Sequence, residues 1–434
     1  MFSVLEKFLN AVLSGGWLQQ CICVSSDGAR NMTGETRGLV SRISRACPPG
    51  MYRVWCGLHK LDLVMQQVYE SALDKTFMGP LYGLIGYLRR QQNLIGEMNS
   101  TCPKVAATRW VSMHSCTSWL VKHRIRIMAY LEQEKASETP DAKWWIFLHG
   151  LEAFAYEAHV VFKSLQGRTT LLCEQQRKLR NLIDTFSRMT GMEGPFSPEQ
   201  IQDLRDQEPF ENTGQYILTK GNARRFLEEN SLWVLSALNS IEDKTTLDSL
   251  ISSISRLFVD AADGISRMCN LPGDDLPPVL PHELCNISMV DLAKTITKHR
   301  ERLASVFNEL GIERIGKDFA AFQRAIREDP QFRNAIHASG ESTLDFETAW
   351  ALTNKRFPHL QEFCGGLASA FPNTGTVESD FSGVKITKTD YRTNLTDFAL
   401  EGTLQSRQYK DLKGRSAERA FTIDATDEIM DVDP

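Results

Sequence analysis

The sequence predicts an α/β layer joined to a long all-α region, and three observations support this fold class. Residues 1–72 alternate between apolar positions at helical spacing and two short apolar runs typical of buried strands. Residues 144–349 carry an almost wholly helical pattern. Hydrophobic residues make up 42% of the chain, enough to bury a sizeable core. A chain of 434 residues is expected to form two or three structural units.

The amino-terminal elements follow one another as helix, strand, helix, strand and helix. Apolar residues recur at helical spacing over residues 4–13, 39–43 and 61–68. Residues 21–24 and 52–55 are the two strand candidates, and turn-forming residues follow the first of them. This order is half of an α/β layer. Because two strands alone do not make a stable sheet, we expect further strands to complete it.

Charge limits how the chain can contact nucleic acid. With 49 basic and 54 acidic residues, its formal net charge is −5, so it cannot coat DNA through total charge. Two stretches are locally basic: residues 30–60 hold six basic residues and one acid, and residues 104–126 hold five basic residues and no acid. They are either parts of a DNA-binding surface or solvated helix faces, and the sequence leaves both open.

Cysteine spacing and hydropathy indicate the cellular compartment in which the chain folds. The ten cysteines have no disulfide-framework spacing, and no secretory signal precedes them. No stretch approaches about 18 uninterrupted apolar residues, the length of a membrane span. We therefore expect a reduced intracellular environment and no membrane partner.

Asp27 is the first candidate for chemistry. It stands where a buried strand ends and a glycine-containing turn begins. A carboxylate at the carboxyl end of a strand is well placed to hold a divalent metal ion. The alternative is that its side-chain oxygen caps the next helix.

Four segments resemble, in order, the signature blocks of hAT-type DNA transposases. They are residues 26–32 around Asp27, residues 56–59 with a Cys-x-x-His pattern, residues 108–110 with Arg109 and Trp110, and residues 377–382 around Glu378. Residues 391–395 resemble the dimerisation region of that family. One departure is Ser379, which stands where the family usually has Arg after the glutamate.

The resemblance implies a domain plan. Residues 1–140 would form a partial RNase H-like core, and residues 141–345 would form a large α-helical insertion. Residues 346–412 would return to the core and add the hAT dimerisation region, and residues 413–434 would be an acidic disordered tail. The implied fold class is an incomplete RNase H-like α/β fold with a large all-α insertion and a helical dimerisation segment.

The resemblance also implies a metal-dependent reaction on DNA. Asp27 and Glu378 would be two of three carboxylates that hold Mg²⁺ or Mn²⁺, and paired metal ions would drive phosphodiester cleavage and strand transfer. His59 would lie near the scissile phosphate, and Arg109 and Trp110 would contact DNA, the tryptophan stacking on an unpaired base. Three alternatives stay open: His59 as a helix-start residue bonded to backbone, Trp110 as a core residue, and Cys56 as a small buried side chain.

Partners follow from the same resemblance. They are DNA at transposon ends and a second copy of the chain, in a homodimer or a higher homo-oligomer, in the nucleus. The resemblance implies no small-molecule substrate. Dimerisation would bury apolar side chains of residues 345–412. The ones we expect at the interface are Leu360, Phe363, Phe371, Phe381 and Leu395.

The family pattern breaks at the first catalytic aspartate. In an RNase H-like sheet it lies on the first strand, ahead of the first helix, but residues 1–26 contain a single acid, Glu6, in a helical pattern. Nor do these residues leave room for a BED-type zinc finger. We therefore expect catalysis by this chain to be weak or absent. Two alternatives remain: a non-catalytic, transposase-derived protein that binds DNA or dimerises, and a helical interaction protein whose motif matches are coincidental.

Overall fold

The protein is mostly helical and contains a small parallel sheet. A computed structural model describes residues 2–13, 16–73, 75–104, 113–166, 170–205, 214–269, 277–304, 307–341, 344–370, 372, 374–375, 384–388, 396, 398–404 and 406. Two compact units divide the chain, residues 1–373 and residues 374–434. In the second unit, residues 384–387 and 398–404 are helical. The expected acidic tail, 413–434, lies outside the described residues.

The amino-terminal segment has the predicted order of helices and strands. Its elements are α1 (Phe2–Val12), α2 (Trp17–Gln20), β1 (Cys23–Ser26), α3 (Arg30–Thr33), α4 (Leu39–Ala46), β2 (Tyr52–Trp55) and α5 (Gly57–Ala72). The short helices α2 and α3 were not predicted. Each has only four residues, too few to show a helical period in the sequence.

The described residues of the first unit after α5 are mostly helical, and those of residues 144–349 confirm the helical pattern predicted there. Between residues 75 and 269 it contains α6 (Lys75–Leu88), α7 (Gln92–Met98), α8 (Met113–Gln133), α9 (Ala142–Leu165), α10 (Leu172–Thr190), α11 (Pro198–Arg205), α12 (Lys220–Asn230), α13 (Leu232–Asn239) and α14 (Lys244–Cys269). After residue 280 it contains α15 (Pro281–Leu284), α16 (Met289–Lys298), α17 (Arg300–Leu303), α18 (Glu309–Glu328), α19 (Pro330–Glu341), α20 (Phe346–Ala351) and α21 (Pro358–Ala368). Across the described ranges, no helix combines the length and apolarity that a bilayer crossing requires.

The two strands pair in parallel, and their register sets where each begins. Cys23 pairs with Tyr52, and Ser26 pairs with Trp55. The first strand therefore starts two residues later than predicted and extends to Ser26, whose carbonyl accepts a bond from the Cys56 amide at 2.8 Å. A ladder can begin only where its partner is extended, and β2 starts at Tyr52, after the turn at residues 48–50.

Each face of the sheet packs on a different cluster. Tyr52 and Val54 are buried in one cluster with α18, α20 and α21, while Val24 packs in a small cluster with Trp17 and Ile43. Side chains alternate between faces along a strand, so the apolar residues divide between the two clusters. The sheet thus joins the amino-terminal helices to the helices after residue 280.

Arg302 on α17 fixes the amino ends of both strands. Its Nε donates to the Cys21 carbonyl at 2.8 Å, and its terminal nitrogens donate to the carbonyls of Pro48 and Pro49. Beside it, the Tyr52 hydroxyl lies 3.0 Å from His299 Nε2. Burial and the cations Arg302 and Lys298 lower the pKa of His299 to about 4, so this ring is neutral at pH 7.

Helix α5 connects the sheet to the central helix α14. From Leu250 onward α14 is buried almost all round, as expected of a helix inside a bundle. Its contact with α5 is close at Gly264, where an added Cβ would lie 2.7 Å from Val64 Cγ1. A residue without a side chain therefore sets the spacing of the two helices at this crossing.

The structure describes two of the five residues expected at a dimer interface, and both lie in the core of the chain itself. Leu360 and Phe363 are 0% and 4% exposed and belong to the chain's own core, against α18. The prediction that these two side chains serve a dimer interface is wrong, because the chain itself already buries them. The other three predicted interface residues, Phe371, Phe381 and Leu395, lie outside the described residues.

We predict that Gly264→Ala lowers the free energy of unfolding by about 1–3 kcal/mol, because the new methyl group overlaps the stiff Val64 side chain. Combining it with Val64→Ala should recover part of this loss, with a coupling energy of about 0.5–3 kcal/mol in a double-mutant cycle. Urea denaturation of the four proteins measures both quantities.

Gly316→Ala on α18 is the matched control, since an added Cβ there meets no atom within 4 Å. It should raise stability by about 0.5–1 kcal/mol through helix propensity. If Gly264→Ala stabilises the protein as much as Gly316→Ala does, close contact at Gly264 does not limit the helix spacing.

Candidate functional site

The carboxyl ends of β1 and β2 bring two of the predicted motifs to one edge of the sheet. Because Ser26 and Trp55 are partners in the parallel register, Asp27 and Cys56 leave the sheet side by side. The Asp27 motif continues into α3, and the Cys-x-x-His motif opens α5. In parallel sheets this edge is where ligands bind.

Asp27 is exposed, and one of its carboxylate oxygens holds the turn. Oδ1 accepts a hydrogen bond from the Ala29 amide at 3.1 Å, and Ala29 is the residue that precedes α3. This bond closes the turn and does not cap α3, because Ala29 is the N-cap of that helix and receives no side-chain capping bond at its first turn. Among the described residues no hydrogen bond or ion pair engages Oδ2, so the same carboxylate can offer an oxygen to a cation.

Gly28 and Trp55 lock the backbone of this turn. The Trp55 indole Nε1 donates to the Asp27 carbonyl at 3.1 Å. Gly28 has φ +78°, and an added Cβ would lie 2.3 Å from Trp55 Nε1. Thr33 Oγ1 donates to the Gly28 carbonyl at 2.9 Å and the Ala29 carbonyl at 3.2 Å. The position of Asp27 is therefore fixed from both sides of the turn.

The Cys-x-x-His motif forms the first turn of α5. Cys56 is fully buried, as the small-side-chain interpretation predicts. His59 is half-buried in the first turn of the helix. Gly57 lets α10 approach this turn, since an added Cβ would lie 2.2 Å from Gln175 Oε1. Lys60 places its Nζ 5.4 Å from the Trp55 ring centroid, a cation–π distance.

The basic stretch of residues 30–60 divides into structural and exposed cations. Arg45 donates to the carbonyls of Glu35 and Thr36, and Arg53 donates to Ser41 Oγ at 2.9 Å. These two guanidinium groups therefore hold the segment between α3 and β2. The arginines with exposed side chains and no described hydrogen bond or ion pair are Arg30, Arg37 and Arg42.

Two arginines of the second basic stretch, residues 104–126, contact other side chains of the chain. Arg124 stacks on the Trp233 ring at 3.8 Å, and Arg126 forms an ion pair with Glu97. The two DNA-contact residues predicted in this stretch, Arg109 and Trp110, lie outside the described residues. So does Glu378, and its position relative to Asp27 stays a prediction.

Sequence reasoning missed the residues that position Asp27. Trp55 was assigned only to a strand, and Thr33 received no role. A usable signal was present for Trp55, because its alternation with the core residues Tyr52 and Val54 places a large aromatic on the opposite face, next to a glycine turn. Thr33 could not have been found this way, since its bonds depend on the fold of α3.

Comparison with known proteins adds no family assignment, because the chain matches no protein-family model and no curated protein. Within the described part of the chain, no group of three or more His, Cys, Asp or Glu side chains is arranged to hold a metal ion. The site visible at this edge is one carboxylate on a rigid turn with three exposed arginines in the adjoining segment.

We predict that Gly28→Ala destabilises the protein more than Gly16→Ala does. Both glycines have left-handed φ angles, +78° and +74°, which cost an alanine about 1–2 kcal/mol. Only Gly28 also meets a side chain at overlap distance, which adds about 1–3 kcal/mol. Urea denaturation of the two variants measures the difference, and equal losses would show that Trp55 does not press on the turn.

Proposed function

We propose that this chain is an hAT-type DNA transposase, in which an RNase H-like core acts on DNA through metal-bound carboxylates. The observation that carries the proposal is the meeting of two motifs at one sheet edge. Asp27 follows β1 and the Cys-x-x-His motif follows β2, in the order that the family resemblance requires. A chance pair of matches has no reason to fall at the ends of two adjacent parallel strands.

The order of elements agrees with this core. An RNase H-like fold has a helix, a strand, a helix and a parallel strand in succession, and α1, β1, α4 and β2 follow that order. The fold would also place further strands beside β1. Such strands would cover the outer face of α1, where Val4, Phe8 and Val12 are 71%, 61% and 60% exposed.

Asp27 fits a divalent metal ion by its chemistry. Mg²⁺ and Mn²⁺ prefer oxygen ligands, and the turn presents an exposed carboxylate that keeps Oδ2 available while Oδ1 fixes its orientation. In this proposal Glu378 supplies a second carboxylate. A bound metal pair would activate the attacking oxygen and stabilise the leaving one during cleavage and strand transfer at transposon ends.

The remaining site residues act on DNA. His59, at the start of α5, is assigned to the neighbourhood of the phosphate, and Arg109 with Trp110 to the DNA strand and an unpaired base. Arg30, Arg37 and Arg42 are exposed cations that follow Asp27 closely in sequence. In this proposal they bind phosphate oxygens without reading base sequence. Nuclear location and homo-oligomerisation belong to the same proposal.

A second candidate is a transposase-derived protein that binds DNA or dimerises without catalysis. It is favoured by the acid content of residues 1–26, where the single acid is Glu6, on α1. A three-carboxylate site that lacks one ligand should bind its metal poorly. This candidate therefore predicts DNA binding with cleavage at background level.

A Mg²⁺-dependent nicking assay on DNA carrying the terminal repeats separates the two candidates. Background-level nicking together with DNA binding supports the non-catalytic protein. Robust cleavage would overturn the non-catalytic candidate. Loss of that cleavage in Asp27→Asn would then assign it to this site.

We predict that Asp27→Asn and Glu378→Gln each weaken Mn²⁺ binding by at least about tenfold, because each removes a charged oxygen ligand. Titration calorimetry with Mn²⁺ on the full chain measures the affinity. Glu35→Gln is the control, since Glu35 is an exposed acid close to Asp27 in sequence. If all three variants bind Mn²⁺ as the unaltered chain does, the two carboxylates do not form a metal site.

We predict that replacing Arg30, Arg37 and Arg42 by alanine weakens DNA binding about equally for all sequences. Each lost phosphate contact should reduce the slope of log K against log salt concentration by about one. Fluorescence anisotropy at several salt concentrations measures that slope. Arg324→Ala, an exposed arginine on α18, should leave it unchanged, and an equal effect there would indicate non-specific attraction.

A further inference from the structure

Two cysteine side chains meet beside the amino end of β1. Cys21 lies just before β1 and packs against the small hydrophobic cluster that contains Cys47, the residue at the carboxyl end of α4. Cys21 is half-buried, so small molecules can reach it, while Cys47 is 8% exposed. The pair therefore combines an accessible sulfur with a shielded one in the same cluster.

The buried cation Arg302 holds the backbone next to both cysteines. The Arg302 guanidinium donates to the carbonyls of Cys21, Pro48 and Pro49, which holds the two backbone segments that carry the thiols. Its charge also acts on both sulfurs. The Cys21 thiol itself donates to the Cys23 carbonyl at 3.6 Å. The groups that face Cys21 are thus a second thiol, a fixed cation and a backbone carbonyl.

These contacts favour the thiolate at Cys21. The Cys47 hydrogen bond, followed by the Arg302 charge, lowers the pKa of the Cys21 thiol to about 7, against the opposing effect of burial. Thiolates, not thiols, attack peroxides and disulfides. Cys47 keeps its proton, since its contact with Cys21 and its burial raise its pKa.

We propose that Cys21 and Cys47 form a reversible disulfide in response to hydroperoxides, joining the start of β1 to the end of α4. The Cys21 thiolate attacks one peroxide oxygen, the O–O bond breaks, and Cys21 becomes a sulfenic acid while the peroxide is reduced to hydroxide or alkoxide. The Cys47 sulfur then attacks the Cys21 sulfur, its proton leaves with the sulfenic oxygen as water, and the S–S bond forms. An external thiol reverses the bond by exchange.

Formation of this disulfide does not depend on the proposed transposase activity. The bridge would close a loop that contains β1, the Asp27 turn, α3 and α4. Its formation would therefore restrain that segment whatever chemistry Asp27 performs. A protein that lacks nuclease activity should form it equally well.

The chain contains a matched control pair. Cys102 and Cys116 also lie together in one hydrophobic cluster, but they are 1% and 0% exposed. Burial and the contact with Cys102 raise the pKa of Cys116. This pair has the proximity of the first without its access, so it should resist the oxidant.

Peptide mapping of the folded full chain tests the bridge. After brief treatment with hydrogen peroxide, trypsin digestion without reductant should give residues 8–30 linked to residues 46–53, and dithiothreitol should separate them. Since residues 8–30 also contain Cys23, the link should vanish in Cys21→Ser and persist in Cys23→Ser. Linkage of Cys102 to Cys116 at an equal rate would overturn the proposal, as would persistence of the first link in Cys21→Ser.

Trapping with dimedone tests the order of the two steps. In Cys47→Ser the sulfenic acid has no partner, so dimedone should label Cys21 after peroxide treatment. In the unaltered chain the link should form and dimedone labelling of Cys21 should be slight. Labelling of Cys21 in the unaltered chain without any link to Cys47 would show that the two sulfurs cannot bond.

Alkylation rates test the state of Cys21 without an oxidant. Initial rates with iodoacetamide between pH 6 and pH 10 should rise for Cys21 with a midpoint near 7. The half-buried Cys285 is the control, because burial raises the pKa of its thiol to about 11. At pH 8 Cys21 should react roughly tenfold faster, since its larger thiolate fraction outweighs its lower nucleophilicity. Equal rates would contradict the proposal.

Discussion

The α/β segment depends on how Arg302 holds the start of its sheet. Two short strands contribute too little buried surface to stand alone, so their geometry must be imposed by other parts of the chain. Arg302 does this from α17 by donating to three carbonyls in the loops that precede β1 and β2. A buried guanidinium tolerates few alternative arrangements, because any carbonyl it loses leaves a charged donor without an acceptor.

At the carboxyl ends of the strands, uncharged residues fix the turn that carries Asp27. Trp55 bonds to the Asp27 carbonyl, Thr33 bonds to the next two carbonyls, and Gly28 gives both the space and the backbone angle that this arrangement needs. As a result, the Asp27 side chain projects from a rigid turn. A carboxylate held this way suits the metal-binding role that we propose for it, since little ordering remains when a ligand binds.

Some arginines in this protein hold its structure together, and others are exposed and available to a ligand. A count of charges along the sequence does not distinguish the two groups. Arg45 and Arg53 hold backbone and side-chain oxygens, Arg124 stacks on Trp233, and Arg126 pairs with Glu97. The local basic excess that first indicated a DNA surface therefore overstates the charge available to a ligand. A smaller set of exposed arginines, between β1 and β2, keeps that role in the proposed function.

The sequence by itself determined the order of the amino-terminal elements, the all-α character of the region after them and the positions of its motifs. These follow from local rules, since apolar spacing and turn residues act over a few positions. Only the tertiary structure decided that Leu360 and Phe363 are core residues and that Trp55 and Thr33 fix the Asp27 turn. It also decided that Cys21 packs against the cluster of Cys47, beside Arg302. Such contacts join residues as far apart as 21 and 302, and sequence spacing carries no information about which distant residues become neighbours.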